Sequence, residues 1–236
     1  TVEGLKLVVK ETVAPVITIV SPTAGAYVAN SKQPVVFNVT DETGGSGVDI
    51  STLVVKQDGT TVASANITHT AISNGYSVTY TPSAALSDGS HTVTINCKDH
   101  DGNAATEKST TYTVDTVPPT LNVTSPADGL ITAASSVTVA GTTNDATSSP
   151  VVITISLNGT DQGTVAVGTG GTFSKVITLK EGSNTIIVKA EDAAGKESSV
   201  TRTVTLDTSV PKIKAATITP NPVDTGKTMV ISVTIE

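Results

Sequence analysis

The sequence predicts an all-β protein built from small sandwich domains in series, and three observations lead to this prediction. An acidic residue, a Thr and, four residues after the acid, a Pro recur together at positions 11–15, 115–119 and 207–211. Segments of alternating apolar and polar residues flank each copy, with the period of a half-buried strand. These segments are rich in Val, Ile and Thr, which favour pleated sheets. The copies start 104 and 92 residues apart, the length of one small domain, so each copy marks a junction between domains.

The N-terminal half is predicted to hold one complete domain behind a single strand. Residues 1–11 are expected to be the closing strand of a preceding domain or a donor strand for another copy. The complete domain spans residues 12–116, with the hairpin signals Asp58-Gly59 and Asn74-Gly75 between its strands. About seven short strands, separated by turns at intervals of about 8–12 residues, are typical of a sandwich. The strands are expected at 16–20, 34–40, 53–57, 60–70, 76–80, 91–98 and 104–114.

The C-terminal half repeats this plan in a shorter form over residues 117–209. Residues 210–236 then hold the two opening strands of a further domain. Such strands alone would leave long open edges. Either the rest of that domain follows, or another chain completes the fold by strand addition, with the N-terminal strand of a neighbouring copy as donor. The strands of the second complete domain are expected at 121–124, 137–141, 151–157, 172–179, 184–190 and 199–206.

Composition and charge exclude several classes of partner. There are 14 Lys and Arg against 21 Asp and Glu, a formal net charge of −7, with no basic cluster. Nucleic-acid binding is therefore not expected, because it depends on clustered positive charge. The segment also contains no run of about 18 apolar residues, so membrane insertion is not expected. Cys97 is the single cysteine, which excludes an intrachain disulfide, and we expect it to be a small buried hydrophobe.

Several motifs resemble the bacterial immunoglobulin-like (Big-type) domains of extracellular arrays. They are the junction prolines, the segments 86–104 and 181–195, which are similar to D-G-x-x-x-V-x-V-x-A-x-D-x-A-G-N, and the loop 41–49, which is similar to D-x-x-G-S-G-V-D. The resemblance covers nearly all of residues 11–210. It implies tandem immunoglobulin-like β-sandwiches with partial flanking β segments. Residues 219–227 also resemble a repeat found in prophage tail proteins of Gram-positive bacteria.

Acidic loops make calcium the candidate ligand, although no cofactor is required by the fold. Calcium binds about six to eight oxygen atoms, and sites at junctions can stiffen tandem domains. We expect the acids of loop 41–49 to converge at one end of the first domain, and those of turn 99–103 to lie near the second junction, with Asp115 close by. Ordinary turn capping by Asp, Asn and Gly accounts for the same residues without a metal. The candidate metal ligands are Asp41, Asp49, Asp99, Asp101, Asn103 and Asp115.

No constellation of residues points to catalysis. His69, His91 and His100 have no metal-ligand spacing, and the chain contains neither a nucleophile elbow nor a phosphate-binding motif. The glycine-rich segment 168–171 lies between strands and is expected to be a hairpin turn. We therefore expect no enzymatic activity within these residues.

The leading hypothesis is a non-catalytic structural stalk or spacer, extracellular and displayed on a cell surface or virion. Its partners would be neighbouring immunoglobulin-like domains or copies of itself. One alternative is a phage tail or fibre protein, or a head-to-tail filament subunit completed by strand addition. Another is an adhesin, or a carbohydrate-binding accessory module of a larger extracellular protein, which binds a host-surface glycan or protein. Because sugar recognition uses exposed aromatic rings, that alternative depends on Tyr27 and Tyr76.

Overall fold

The regular structure is almost entirely β, as the sequence predicts. The computed structural model describes residues 10–219, 225–226, 228 and 230–235, so most of the predicted N-terminal strand, residues 1–9, lies outside the described residues. The strands form two sandwiches and one separate hairpin. No helix among the described residues is long and apolar enough to cross a membrane.

The first sandwich, residues 16–114, packs a four-stranded sheet against a five-stranded sheet. The sheet orders are β1-β3-β7-β6 and β2-β9-β8-β4-β5. All neighbouring strands are antiparallel except β2, which runs parallel to the closing strand β9. Its strands are β1 Val16–Ser21, β2 Tyr27–Val28, β3 Val35–Thr40, β4 Val48–Gln57, β5 Thr60–Thr61, β6 Ile67–Ile72, β7 Gly75–Tyr80, β8 Gly89–Asp99 and β9 Lys108–Val114.

The second sandwich, residues 120–206, has the same plan with one strand fewer. Its sheets have the orders β10-β12-β15 and β11-β17-β16-β13-β14, and β11 runs parallel to the closing strand β17. Its strands are β10 Thr120–Ser125, β11 Leu130–Thr132, β12 Ser136–Asn144, β13 Val152–Leu157, β14 Thr160–Val165, β15 Thr172–Thr178, β16 Gly182–Glu191 and β17 Glu197–Leu206.

The C-terminal segment forms an antiparallel hairpin of β18 Ile213–Thr219 and β19 Val230–Ile235. This pairing repeats that of β1 with β3 and of β10 with β12, the opening pair of each sandwich. The hairpin is therefore what two opening strands would form.

Three local predictions differ from the structure. The strand expected at 60–70 is wrong, because β5 has only two residues and a 3₁₀ turn at Ser64–Asn66 takes the chain to the opposite sheet, where β6 pairs with β7. The hairpin turn expected at 168–171 is likewise a 3₁₀ turn between the two sheets. The parallel strands β2 and β11 were not predicted, since two or three residues are too few to show alternation.

Each sandwich has a separate aliphatic core. In the first, the inward residues of β3, β7, β8 and β9 are buried, including Phe37, Tyr112 and the thiol of Cys97. Burial raises the pKa of Cys97 to about 11, so the thiol stays protonated, as expected for a small core residue. In the second, β13, β16 and β17 supply most of the core, and Phe173 of β15 closes it.

A side-chain hydrogen bond between a tight turn and a later long strand occurs at the same position in both sandwiches, but only the first one involves ionisable groups. In the first, Nδ1 of His91 lies 2.7 Å from Oδ2 of Asp58, and Nε2 lies 2.8 Å from the carbonyl oxygen of Ser87. In the second, Asn158 Nδ2 donates to Asn184 Oδ1 at 3.0 Å. The strand and turn positions correspond, so the first sandwich carries an ionisable pair where the second carries two amides.

We predict that this difference makes only the first sandwich lose stability as the pH rises through the His91 titration. Burial lowers the pKa of His91, but Asp58 and the Ser87 carbonyl outweigh it and raise the pKa above its ordinary value. A group with a raised folded pKa stabilises below its unfolded pKa, and that contribution is lost as pH rises through the folded value. The free energy of unfolding should fall by about 1 kcal/mol between about pH 5.5 and 8.5.

Denaturant unfolding at a series of pH values measures this dependence. The double variant Asp58→Asn/His91→Asn copies the amide pair of the second sandwich and should remove it. An undiminished pH dependence in the double variant would contradict the assignment to this pair.

Candidate metal centres at the domain junctions

The junction acids share one local geometry, in which the carboxylate accepts a hydrogen bond from the backbone N–H two residues later. This cap fixes the backbone before the proline. Pro15 and Pro119 are buried, whereas Pro211 is exposed. The caps are Val13 N to Glu11 Oε2 (2.7 Å), Val117 N to Asp115 Oδ1 (3.1 Å) and Ser209 N to Asp207 Oδ1 (3.0 Å).

The first junction holds a cluster of three carboxylates. One oxygen from each of Glu11, Asp41 and Glu42 lies within 4.8 Å of the others. Asp41 directly follows β3 and is 7% exposed. Its Oδ2 accepts a hydrogen bond from Gly47 N at 2.7 Å, but its Oδ1 has no partner among the described residues. A buried carboxylate oxygen without a donor is costly, so this atom is a candidate to bind a cation.

The turn between β8 and β9 closes the first cluster from the other side. Asn103 Nδ2 donates to Glu11 Oε1 at 3.3 Å and to Asp99 Oδ2 at 2.7 Å, and Glu11 N donates to Asp101 Oδ2 at 3.0 Å. Burial opposes ionisation of Asp99, but hydrogen bonds from Asn103 hold its pKa at about 2. The acids around Glu11 therefore carry a high local negative charge.

Glu42 shows the repulsion within this cluster. A backbone hydrogen bond favours its ionised form, yet desolvation and the neighbouring Asp41 and Glu11 carboxylates raise its pKa above the ordinary value. Ser46 Oγ, which donates to Glu11 Oε1 at 3.1 Å, offsets only part of the charge. A cation among these oxygens would relieve the repulsion.

The second junction holds an equivalent cluster formed by Asp115, Asp145 and Asp192, whose oxygens also lie within 4.8 Å of one another. Asp115 is fully buried, and its Oδ2 accepts a hydrogen bond from Ser148 Oγ. Asp192 is 6% exposed. Its Oδ1 accepts hydrogen bonds from Ala194 N and Lys196 N, both at 2.8 Å, while its Oδ2 has no donor within the described part of the chain.

The two clusters lie at equivalent places in two copies of the fold but differ in their third acid, which is Glu42 in the first and Asp192 in the second. Each takes one acid from the junction and one from the residue that follows β3 or β12, and each lies beside an acid-bearing turn that joins the last two strands. Asp99 and Asp192 occupy the same place in that turn, since Asn103 N and Lys196 N donate to their Oδ1 atoms at 2.8 Å. In each cluster a loop serine donates to the junction acid.

The structure rearranges the predicted ligand set. Asp99, Asp101 and Asn103 lie at the first junction, not near Asp115, because the β8–β9 hairpin places its turn and the end of β9 at opposite ends of the sandwich. Asp49 does not join Asp41, since it caps its own turn by accepting from Ser51 N and Oγ at 3.1 and 2.6 Å. The candidate ligands that the sequence did not reveal, Asp145 and Asp192, align with Asp41 and Asp99 when the two repeats are aligned.

These donor sets suit a hard divalent cation. Calcium prefers carboxylate, amide and backbone oxygens in flexible arrangements, and each cluster offers three or more carboxylates with one orphaned, buried oxygen. The soft ligands that favour zinc or copper are absent from both clusters. Glu11, Asp41 and Glu42 would hold the first ion, and Asp115, Asp145 and Asp192 the second.

We predict that Gly45→Ala weakens cation binding at the first junction by about tenfold, as is usual when the support of a ligand is disturbed. A Cβ at Gly45 would lie 2.5 Å from Glu42 Oε1 and 3.0 Å from Asp41 Oδ2, inside the cluster. Titration with terbium, a luminescent calcium substitute, measures the affinity. The second junction is the internal control, and equal weakening at both junctions would contradict the prediction.

Comparison with known proteins agrees with the fold and with its division at the second junction. A family described as a bacterial Ig-like domain matches residues 23–116, and one described as glucodextranase domain B matches residues 119–208. No curated protein sequence matches the chain significantly.

The β-sandwich architecture is shared with a solved structure from a bacterium. The fibronectin(III)-like modules of Clostridium thermocellum CbhA align over 81% of this chain and 94% of theirs, with 17% identity and a TM-score of 0.51. Immunoglobulin domains 1–5 of Sidekick-1 align over 95% of this chain and 46% of theirs, with 13% identity and a TM-score of 0.45. The two family matches cover one sandwich each, residues 23–116 and 119–208, and together with the shared fold they support a tandem of bacterial immunoglobulin-like domains.

Proposed function

We propose that this chain is a non-catalytic spacer of an extracellular protein, in which a calcium ion fixes each junction to the following domain. The observation that carries the proposal is the repeat of the acidic cluster, with an orphaned buried oxygen in each copy. A chance cluster of surface acids has no reason to recur at the equivalent place in a domain that differs in sequence. Repetition at a junction instead indicates a role in joining domains.

The second cluster spans the domain boundary. Asp115 ends the first sandwich, since its N–H donates to the carbonyl of Val28 beside β9 at 2.9 Å. Asp145 and Asp192 belong to the second sandwich. An ion shared by these residues opposes rotation about the junction, because any rotation would separate its ligands. The ion would therefore convert a hinged pair of domains into a stiffer unit.

An extracellular location supports calcium as the ion. Calcium sites of extracellular modules typically have dissociation constants of about 0.1–1 mM, which match the concentration outside cells but not inside them. Display on a cell surface or a virion, with neighbouring Ig-like domains or further copies of this chain as partners, follows from the spacer role and is part of the proposal.

Solution scattering and calorimetry test this function. In about 10 mM calcium the distribution of interatomic distances should be narrower and extend to longer distances than in chelator. The free energy of unfolding should rise by about 1–3 kcal/mol. Magnesium at the same concentration is the control, because it binds flexible carboxylate sites less well. Identical scattering and melting with calcium and with chelator would overturn the calcium-stiffened spacer.

A second candidate is an accessory module of a larger extracellular enzyme, and the match of residues 119–208 to glucodextranase domain B favours it. Sugar binding by the module itself has weaker support. Tyr80 and Tyr112 are buried, Tyr27 is only 37% exposed, and Tyr76 is half-buried, with its ring nearly perpendicular to that of His69. Binding on a glycan array that disappears in Tyr76→Ala would favour the accessory role over the spacer.

A further inference from the structure

At the second and third junctions, a further set of contacts connects the junction to the preceding sandwich. Thr116 follows Asp115 directly, and both its N–H and its hydroxyl donate to the Asp88 carboxylate, at 2.9 Å and at 3.0–3.1 Å. Asp88 precedes β8 and belongs to the first sandwich. The carboxylate therefore holds the junction to the domain that it leaves.

The same contacts recur at the third junction. Thr208 donates from its N–H to Glu181 Oε1 at 3.1 Å and from its hydroxyl to Glu181 Oε2 at 2.9 Å. Glu181 precedes β16, as Asp88 precedes β8. The acid and the threonine of the junction motif thus have different contacts. The threonine contacts the preceding sandwich, and the acid is free to reach the following one.

We infer that Asp88 is a positioning residue for the second cation site, acting through Thr116 on Asp115. This inference rests on the proposed calcium function. Asp115 has one fixed point in its own N–H, bonded to Val28 O, and a second in Thr116. Because both hydrogen bonds hold the backbone at Asp115, its carboxylate is already placed beside Asp145 and Asp192. Cation binding then costs no further backbone entropy at this residue. Without Asp88 the residue after Asp115 is released, and cation binding must order it again.

The matched control lies within the chain. Glu181 forms the same contact for Asp207, and Asp207 belongs to neither acidic cluster within the described residues. Asp88→Ala and Glu181→Ala remove equivalent hydrogen bonds and should destabilise their sandwiches similarly. Only Asp88→Ala should affect cation binding, so a merely structural role and a positioning role give different results.

Calorimetric titration with calcium tests the inference in an Asp41→Asn background, in which the first site is impaired. Asp88→Ala should weaken binding at the second site by about fivefold, the usual scale of one or two hydrogen bonds. Thr116→Ser keeps both donors and should bind as the parent does, and Glu181→Ala should also bind as the parent does. Parent-like affinity in Asp88→Ala, or equal weakening in Glu181→Ala, would overturn the inference and leave the calcium function standing.

A measurement without calcium separates the two proposals. Spin labels at Thr60→Cys and Thr160→Cys, in a Cys97→Ser background, report the distance between the sandwiches from two exposed residues that follow equivalent turns. Asp88→Ala should broaden the distance distribution in chelator, whereas Glu181→Ala should not. If the parent binds no calcium, the calcium-stiffened spacer is wrong. An unchanged distribution of label distances in Asp88→Ala in chelator would overturn the positioning role as well.

Discussion

Phe37→Ala should destabilise the first sandwich by about 3–5 kcal/mol and leave the second unchanged. Phe37 is fully buried on β3 and contacts the core of the first sandwich only. Its removal deletes a large apolar side chain and leaves a cavity that a packed sheet cannot close. Because a small domain is stable by only about 5–15 kcal/mol, this loss is a large part of the total.

Phe173→Ala is the matched control, since the chain has two phenylalanines and the structure buries one in each core. It should lower the second melting transition by a similar amount and spare the first. Differential scanning calorimetry resolves the two transitions. A single transition that moves equally in both variants would show that the sandwiches unfold as one unit, contrary to their separate cores.

Asp192→Asn should weaken calcium binding at the second junction by about a hundredfold or more in affinity, without loss of fold. The amide oxygen can keep the hydrogen bonds from Ala194 N and Lys196 N, which now end on Oδ1. The amide nitrogen replaces Oδ2, the oxygen without a donor in the described structure. One negative charge leaves a cluster of three.

The same variant should be more stable than the parent in chelator, by about 1 kcal/mol, because repulsion between the buried carboxylates falls. The change in stability relative to the parent should therefore be negative in calcium and positive in chelator, and this reversal distinguishes a ligand from a structural aspartate. Asp207→Asn is the control, as that acid bonds to its own turn and lies outside both clusters. A loss of stability in chelator equal to that in calcium would contradict a ligand role for Asp192.

Strands and turns that depend on the local sequence could be predicted. Alternation placed most long strands, and Asp58-Gly59 and Asn74-Gly75 form tight turns with positive φ at Asp58 and Asn74. The sheet to which β6 belongs could not be predicted, because its side chains are mostly exposed and show no buried alternation. Pairing with β7, a tertiary contact, decides its place.

The candidate site was only partly predictable for the same reason. Asp41 and Asp115 stood out as acids beside turns and junctions, but which acids meet depends on how the ends of two sandwiches face each other. Asp145 and Asp192 lie in short loops with no acidic pattern of their own. Comparison of the two repeats would have identified them, since Asp145 aligns with Asp41 and Asp192 with Asp99.

Because each cluster combines a junction acid with acids of the following sandwich, the domains follow one another in a fixed direction as repeated units. Both sandwiches receive an acid at the leading end and present one at the trailing end, and the acid makes the same capping hydrogen bond at all three junctions. A gene segment that begins and ends at this motif could therefore be duplicated, deleted or exchanged as a whole. Each new boundary would still join a capped junction acid to the following sandwich, so the length of the array could change during evolution while the junctions stayed alike.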